Sequence, residues 1–239
     1  PMSATTTLES LPPDEAERAA ARRRSWVLVA VCTGLIAVVA SVSGLNVAQG
    51  QLAAELGASQ SQLLWVINGY TIALAALLLP IGAIGDRWGR KQVLMSGLVL
   101  FVLANVAAAF SGSVNQLLVA RVVAGAAAAM IMPVTLSVIT STFPEEDRDR
   151  AIGVWAGFAG AGGILGLLSS SIVVDNFTWP WVFLAPTVLA LAAFAMTAVF
   201  VPRSREDHQG RFDTLGSFLS AFAVGGLVLA VHEGPEAGW

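Results

Sequence analysis

The chain of 239 residues is 56% hydrophobic and 12% charged, with a mean hydropathy of +0.73, whereas an average soluble domain carries roughly 25% charged residues. That balance excludes an ordinary water-soluble globule, and a net charge of -3 without any basic face excludes a nucleic-acid binder. The single cysteine, Cys32, excludes an intramolecular disulfide or a cysteine-built metal site, and His208 and His232 stand far apart without metal-ligand spacing, so neither metal nor cofactor is expected.

In chain order, residues 1–25 are polar and are expected to form a cytoplasmic N-terminal tail. Within it, Pro12, Pro13 and Asp14 mark the start of a short helix ending in the cluster Arg18, Arg22, Arg23 and Arg24. Contact of that cluster with an anionic membrane surface is a second reading of the tail. Seven apolar runs follow: Trp26 to Val47, Gln62 to Ile84, Val93 to Phe110, Gln116 to Thr140, Ile152 to Val174, Trp181 to Val201 and Leu215 to Val231. Each approaches the ~20 residues of helix that cross a bilayer. The first run exceeds the about 7 to 15 apolar residues of a signal peptide and is read as a retained anchor.

Orientation follows from the cations, because short loops rich in Lys and Arg stay on the cytoplasmic side. Arg18 to Arg24 precede the first run, Arg87, Arg90 and Lys91 follow the second, Arg148 and Arg150 the fourth, and Arg203, Arg205 and Arg211 the sixth. The intervening loops, 49–61, 111–115 and 175–180, contain neither Lys nor Arg. A multi-pass inner-membrane protein with its N-terminus in the cytoplasm is therefore expected.

Between the second and third runs stands Gly82-Ala-Ile-Gly85-Asp86-Arg87-Trp88-Gly89-Arg90-Lys91. The chain must reverse direction there within a few residues, which calls for Gly89 where a side chain would clash. Gly82 and Gly85 would let another backbone approach closely. Asp86, at the C-terminal end of its helix, meets the negative end of the helix dipole and needs a partner elsewhere. This loop resembles the signature G-x-L-x-D-R-x-G-R-[KR] of the major facilitator superfamily, in the matching place. The resemblance implies that Asp86 takes part in a cytoplasmic latch, broken during transport, with cations and a helix N-terminus of a C-terminal half.

The resemblance continues along the chain and points to the fourteen-span drug:proton antiporter branch. Trp65-Val-Ile-Asn68-Gly-Tyr70 is similar to that branch's W-x-x-x-x-Y, and Arg121-x-x-x-Gly125 with Pro133 to its fourth span. Phe212-Asp213-x-x-Gly216 is similar to the entry to its seventh span, and Pro235 to Trp239 to the loop beyond it. It implies an all-α membrane fold: a six-helix N-terminal domain over 26–201, a cytoplasmic loop at 202–212, and a seventh transmembrane helix with the start of an extracytoplasmic loop over 213–239. The implied function is half of a secondary active transporter that exports drug-like or amphipathic small molecules by alternating access, coupled to the proton gradient. The partners would be the bilayer, the substrate, protons and a missing C-terminal half. Two alternatives stay open: a truncated chain inactive alone, or an exporter of an anionic amphiphile or lipid not coupled through this half.

Arg121 is the only cation inside a run, and an arginine there is a functional candidate by default. Ser41 stands at a comparable height on the first run, where the resembling branch usually has Asp within L-D-x-T-x-x-N, of which Asn46 is retained. No Asp or Glu lies well inside any of the seven runs, so Arg121 has no expected carboxylate partner. It either snorkels to the outer interface or faces the central cavity. Asn46, Asn68 and Asn105 need hydrogen-bonding partners in lipid, and Asn46 and Asn68 are read as lining the cavity or forming structural bonds between helices. In the fifth run, Gly157, Gly162 and Gly166 stand among six glycines that can admit a neighbouring helix. There Leu167 and Ser170-Ser171 depart from the G-P-x-x-G-G of the family's antiporters.

Other classes lack their residues. A retinal pump needs a lysine in its last span, whereas Lys91 is the only lysine in the chain. No Ser-His, Asp-Asp or His-Glu-x-x-His constellation of an enzyme stands within the runs.

Overall fold

The computed structural model describes residues 13–202 together with Gly216, Leu219, Ala223, Gly226 and Ala230; the side chains of residues 13–14 and 83–87 lie outside the description. The described residues form α1 (Pro13–Leu45), α2 (Gln49–Leu56), α3 (Gln60–Trp88), α4 (Arg90–Ala109), α5 (Val114–Thr142), α6 (Glu145–Asn176) and α7 (Leu184–Phe200), the last entered through a 3-10 turn at Trp179–Phe183. Six of these segments are long and apolar enough to cross a membrane, and α2, with eight residues, is not. The five described residues beyond 202 are helical and fall in the seventh apolar run, the rest of which lies outside the described residues.

Helix boundaries follow local chemistry. Ser59 and Gln62 form a reciprocal capping box at the start of α3: the Ser59 hydroxyl accepts from the Gln62 amide at 3.3 Å, and the Gln62 side chain accepts from the Ser59 amide at 3.0 Å. Ser113 caps α5 by accepting from the Gln116 amide at 3.4 Å. Glu145, Glu146 and Asp147 occupy the first turn of α6, where negative charge suits the helix dipole. Gly57 closes α2 in the left-handed region at φ 64°. Gly89, alone between α3 and α4, has φ 106°, a conformation that disfavours any side chain.

Two features depart from the sequence expectation. The short helix expected over the arginine cluster is not separate: α1 runs without interruption from Pro13 to Leu45. Glu, Ala and Arg, which fill residues 15–24, are strong helix formers, and nothing at Ser25 or Trp26 breaks the chain. The second is α2, a short helix in a loop that hydropathy marks only as polar.

Close backbone approach fixes which helices pair. α3 and α5 meet where a Cβ on Gly69 would come within 2.9 Å of Leu118, and where one on Gly125 would collide with the Tyr70 carbonyl. α6 lies against α1 at Gly162 and Gly166, whose added Cβ atoms would fall 3.3 Å from Ile36 and 2.6 Å from Ala40. Gly82, expected to admit a backbone, instead meets the Pro133 ring at an ordinary 3.7 Å. A larger core gathers Val31, Leu98, Phe101 and Ile131 between α1, α4 and α5. A second core packs Leu45, Leu52, Leu117 and Phe183 at the opposite end from the arginines of α1.

Candidate functional site

Among the described residues, Arg23, Arg24 and Lys91 converge on one end of the bundle. Arg23, in α1, donates through Nε to the Phe200 carbonyl at 3.3 Å, and Lys91, at the start of α4, donates to the Ala198 carbonyl at 2.7 Å. Both bonds satisfy carbonyls in the last turn of α7, which have no partner within their own helix. Trp26 stacks on Phe200 beside them, with ring centroids 5.2 Å apart. Arg24 stands 3.8 Å from Asp147 of α6, an ion pair open to solvent. The turn at Gly89 and the end of α7 are thus on the same side of the bundle. At the opposite end, the Trp179 indole donates to Glu55 at 2.9 Å and Gln51 donates to the Val174 carbonyl at 2.9 Å.

Of the expected latch residues, Gly82, Gly89, Arg90 and Lys91 are described in full. Arg90 is buried, and Lys91 reaches α7. Gly85, Asp86 and Arg87 stand in the last turns of α3, and their side chains lie outside the described residues.

Arg121 has the opposite environment. It stands on α5, seven positions after Val114 and roughly 10 Å along the axis at 1.5 Å per residue, and its accessible surface is 0%. Nη1 donates to the Ser41 hydroxyl at 3.0 Å. That hydroxyl donates in turn to the Asn105 Oδ1 at 3.3 Å, and the Asn105 amide donates to the Phe101 carbonyl at 2.8 Å. The Tyr70 ring lies over the guanidinium, 4.3 Å from ring centroid to Cζ, and its hydroxyl donates to the Val38 carbonyl at 3.1 Å. Three helices therefore meet at one guanidinium, α1 through Ser41, α3 through Tyr70 and α5 through Arg121 itself, and α4 joins them through Asn105, which bonds to Ser41.

The electrostatics are incompletely offset. Arginine at a helix centre costs about 2.5–3.5 kcal/mol on insertion scales, an upper figure for Arg121 at ~10 Å from the start of α5, and a desolvated cation–π contact returns about 2 kcal/mol. Nε and Nη2 have no hydrogen-bond partner among the described residues, and an unmet buried donor costs about 1–3 kcal/mol. The Arg121 guanidinium meets a hydroxyl and an aromatic ring, and no carboxylate among the described residues neutralises it.

Of the expected cavity candidates, Arg121, Ser41 and Tyr70 come together, and Asn46 and Asn68 do not. Asn46 is exposed and donates to the Val42 carbonyl one turn earlier at 3.3 Å. Asn68 is half-buried, two residues before Tyr70 on α3 and hence on a different face. The sequence marks Asn105 by its polarity alone and not as part of a site. Its height on the third run matches that of Ser41, and height gives no azimuth. In the glycine series, Gly162 and Gly166 pack on α1 while a Cβ on Gly157 would meet nothing within 4 Å. A groove of about 710 Å³ between α4 and α5, lined by Leu103, Phe110 and Val119 among others, is apolar and does not include Arg121.

A bundle of long apolar helices, with Arg23, Arg24 and Lys91 at one end and a charged residue enclosed between its helices, defines a polytopic membrane-protein unit. The Major Facilitator Superfamily model matches residues 29–222, and the chain belongs to that family. It is 42% identical over 182 residues to the methyl viologen resistance protein SmvA of Salmonella typhimurium, covering 75% of this chain and 37% of SmvA. It is 32% identical over 213 residues to the methylenomycin A resistance protein of Streptomyces coelicolor, covering 89% of this chain and 45% of that one. It is 32% identical over 220 residues to the tetracenomycin C resistance and export protein of Streptomyces glaucescens, covering 91% and 41%. These resistance proteins fit the drug:proton antiporter branch that the motifs resemble. The chain spans less than half the length of these relatives. Among solved structures, the peptide transporter POT in complex with sulfate superposes with a TM-score of 0.67 at 13% identity, over 90% of this chain and 47% of POT. The proton:xylose symporter XylE superposes at 0.66 and 14%, over 88% and 52%. At such identities these two show the fold alone.

Proposed function

We propose that the chain supplies the N-terminal half of a secondary transporter that exports drug-like amphipathic molecules across the bacterial inner membrane by alternating access, with its N-terminus in the cytoplasm. In this reading residues 1–25 are the cytoplasmic tail, 26–201 the six-helix domain, 202–212 a cytoplasmic loop and 213–239 the seventh helix with the start of an outer loop. The observation that carries it is the 42% identity to a methyl viologen resistance protein over three quarters of the chain. Rocking of two bundles about a central site needs a second bundle, and the six-helix unit would be one of the two. Gly153, Gly157 and Gly160 of α6, each facing open space, suit close contact with that second bundle. Asp86, with Gly82, Gly85, Arg87, Gly89, Arg90 and Lys91, would form the latch between the bundles.

Coupling to the proton gradient is part of the proposal, and Arg121 bears on where it resides. With no carboxylate beside Arg121 among the described residues, proton exchange at this guanidinium lacks an acid, which favours a second reading: an anionic amphiphile as substrate, with coupling elsewhere.

The test is protection of an efflux-deficient bacterium from methyl viologen by the chain alone and by the chain fused to the part of SmvA that follows the matched region. The fusion is expected to protect and a protonophore to abolish protection, while the chain alone should give none. A fusion that inserts normally yet leaves methyl viologen accumulation unchanged would contradict the export reading. Within the fusion, Asp86→Ala should reduce transport without reducing insertion; unchanged transport removes the latch.

A further inference from the structure

The two Arg121 donors without a partner, Nε and Nη2, form the side-on fork of the guanidinium, the edge whose two parallel N–H groups match the two oxygens of a carboxylate. Nη1, the third nitrogen, is occupied by Ser41. Ser41 has already given its one proton to Asn105, so it offers no donor of its own to an incoming group. The Tyr70 hydroxyl is likewise committed to the Val38 carbonyl, and its ring covers one face of the guanidinium. What remains for a ligand is one edge, two coplanar donors and a fully buried positive charge.

From this geometry we infer that the Nε–Nη2 edge of Arg121 binds a carboxylate group, taken in two-pronged fashion within the α1, α3, α4 and α5 bundle. A planar two-oxygen anion satisfies both donors at once and neutralises the charge. A spherical anion supplies the charge without matching the fork, and a neutral amide supplies one acceptor without the charge. Entry requires the guanidinium to part from its surroundings, and among the described residues a single hydrogen bond and one stacked ring hold it. The carboxylate belongs either to the exported molecule, in which case the inference rests on the export reading above, or to a small free acid.

The first arm of the test needs no transport. The purified chain in detergent is melted while formate replaces chloride at constant ionic strength, with formamide as the neutral comparison. Formate is expected to raise Tm saturably by on the order of 3 °C, and formamide should leave it unchanged. Arg121→Lys keeps the charge but loses the fork and should lose the response. Ser41→Asp places a tethered carboxylate beside the guanidinium and should raise Tm while abolishing the response, which keeps the inference testable if Arg121→Lys does not fold. Equal melting in chloride and formate, or a formate response that survives in Ser41→Asp, overturns the site. The second arm compares efflux of a carboxylated amphiphile with that of its methyl ester in cells expressing the fusion with the following part of SmvA, where efflux itself is first confirmed. A preference for the acid that disappears in Ser41→Asp assigns the carboxylate to the substrate. Equal efflux alongside a retained formate shift assigns it to a free acid. Because the first arm reads binding alone, failure of the site and failure of the export reading remain distinguishable.

Discussion

The cations of α1 and α4 at the end of the bundle and the fully enclosed Arg121 solve the same problem by opposite means. Arg23 and Lys91 find carbonyls that the end of α7 leaves without partners, and Arg24 shares solvent with Asp147. Each remains near water, where an ion pair contributes only about 0–1 kcal/mol and an unmet donor is hydrated. Arg121 has no water-facing surface, one hydrogen bond, and an aromatic ring in place of a carboxylate. Cations at the end anchor helices to one another at little cost, whereas the interior cation carries a standing electrostatic cost that a purely structural residue would not need. Location rather than residue type therefore separates the anchoring cations from the functional candidate.

The sharpest way to break this contrast is to remove the interior charge while keeping its volume. Arg121→Met should leave the melting temperature of the purified chain unchanged or higher, since replacing an incompletely compensated buried charge by an apolar side chain is often stabilising by about 1–4 kcal/mol. Transport by the fusion with the rest of SmvA should fall at least tenfold; a variant that melts well below the parent and still transports would reverse the assignment. Disturbing the network around the charge comes next. Asn105→Leu deprives the Ser41 proton of its acceptor and should lower stability by about 1–3 kcal/mol, read from the denaturation midpoint.

Effects at the end of the bundle should be smaller. Lys91→Ala removes the donor to the Ala198 carbonyl and should cost about 1 kcal/mol, with faster hydrogen exchange confined to the last turn of α7. Arg24→Ala should be the mildest, at most about 0.5 kcal/mol and vanishing in high salt, because its ion pair is long and solvent-exposed. A salt-insensitive loss larger than that of Lys91→Ala would show that the end is organised by ion pairs instead of by capping.

How much of this was readable beforehand depends on what hydropathy encodes. Span positions were legible because apolar runs end at charges: α4 begins at Arg90, three residues before the expected Val93, and ends at Ala109, one before Phe110. Alternation of the loop cations predicts that they share one side, and among the described residues Arg23 and Lys91 both reach the end of α7. The continuity of α1 was not legible, since the polarity change near residue 25 is a change of solvent and not of backbone conformation. At the site, residues per turn gave the height of Arg121 and Ser41, and those two do meet. Height carries no azimuth, so the sequence groups Asn46 with them and leaves Asn105 out. Gly125 and Gly166, not Gly82, make the close backbone approaches, because which helices touch depends on packing across the whole bundle.

The account depends on Gln60–Trp88 crossing the bilayer once, with the polar capping box outside and the Gly89 turn in the cytoplasm. Single cysteines placed at Ser61 and at Trp88, both exposed positions in a chain whose one native thiol is buried, can be probed with a membrane-impermeant maleimide in intact cells. The account predicts that Ser61→Cys is labelled from outside, while Trp88→Cys is labelled only after permeabilisation. Labelling of both from the same side would contradict it.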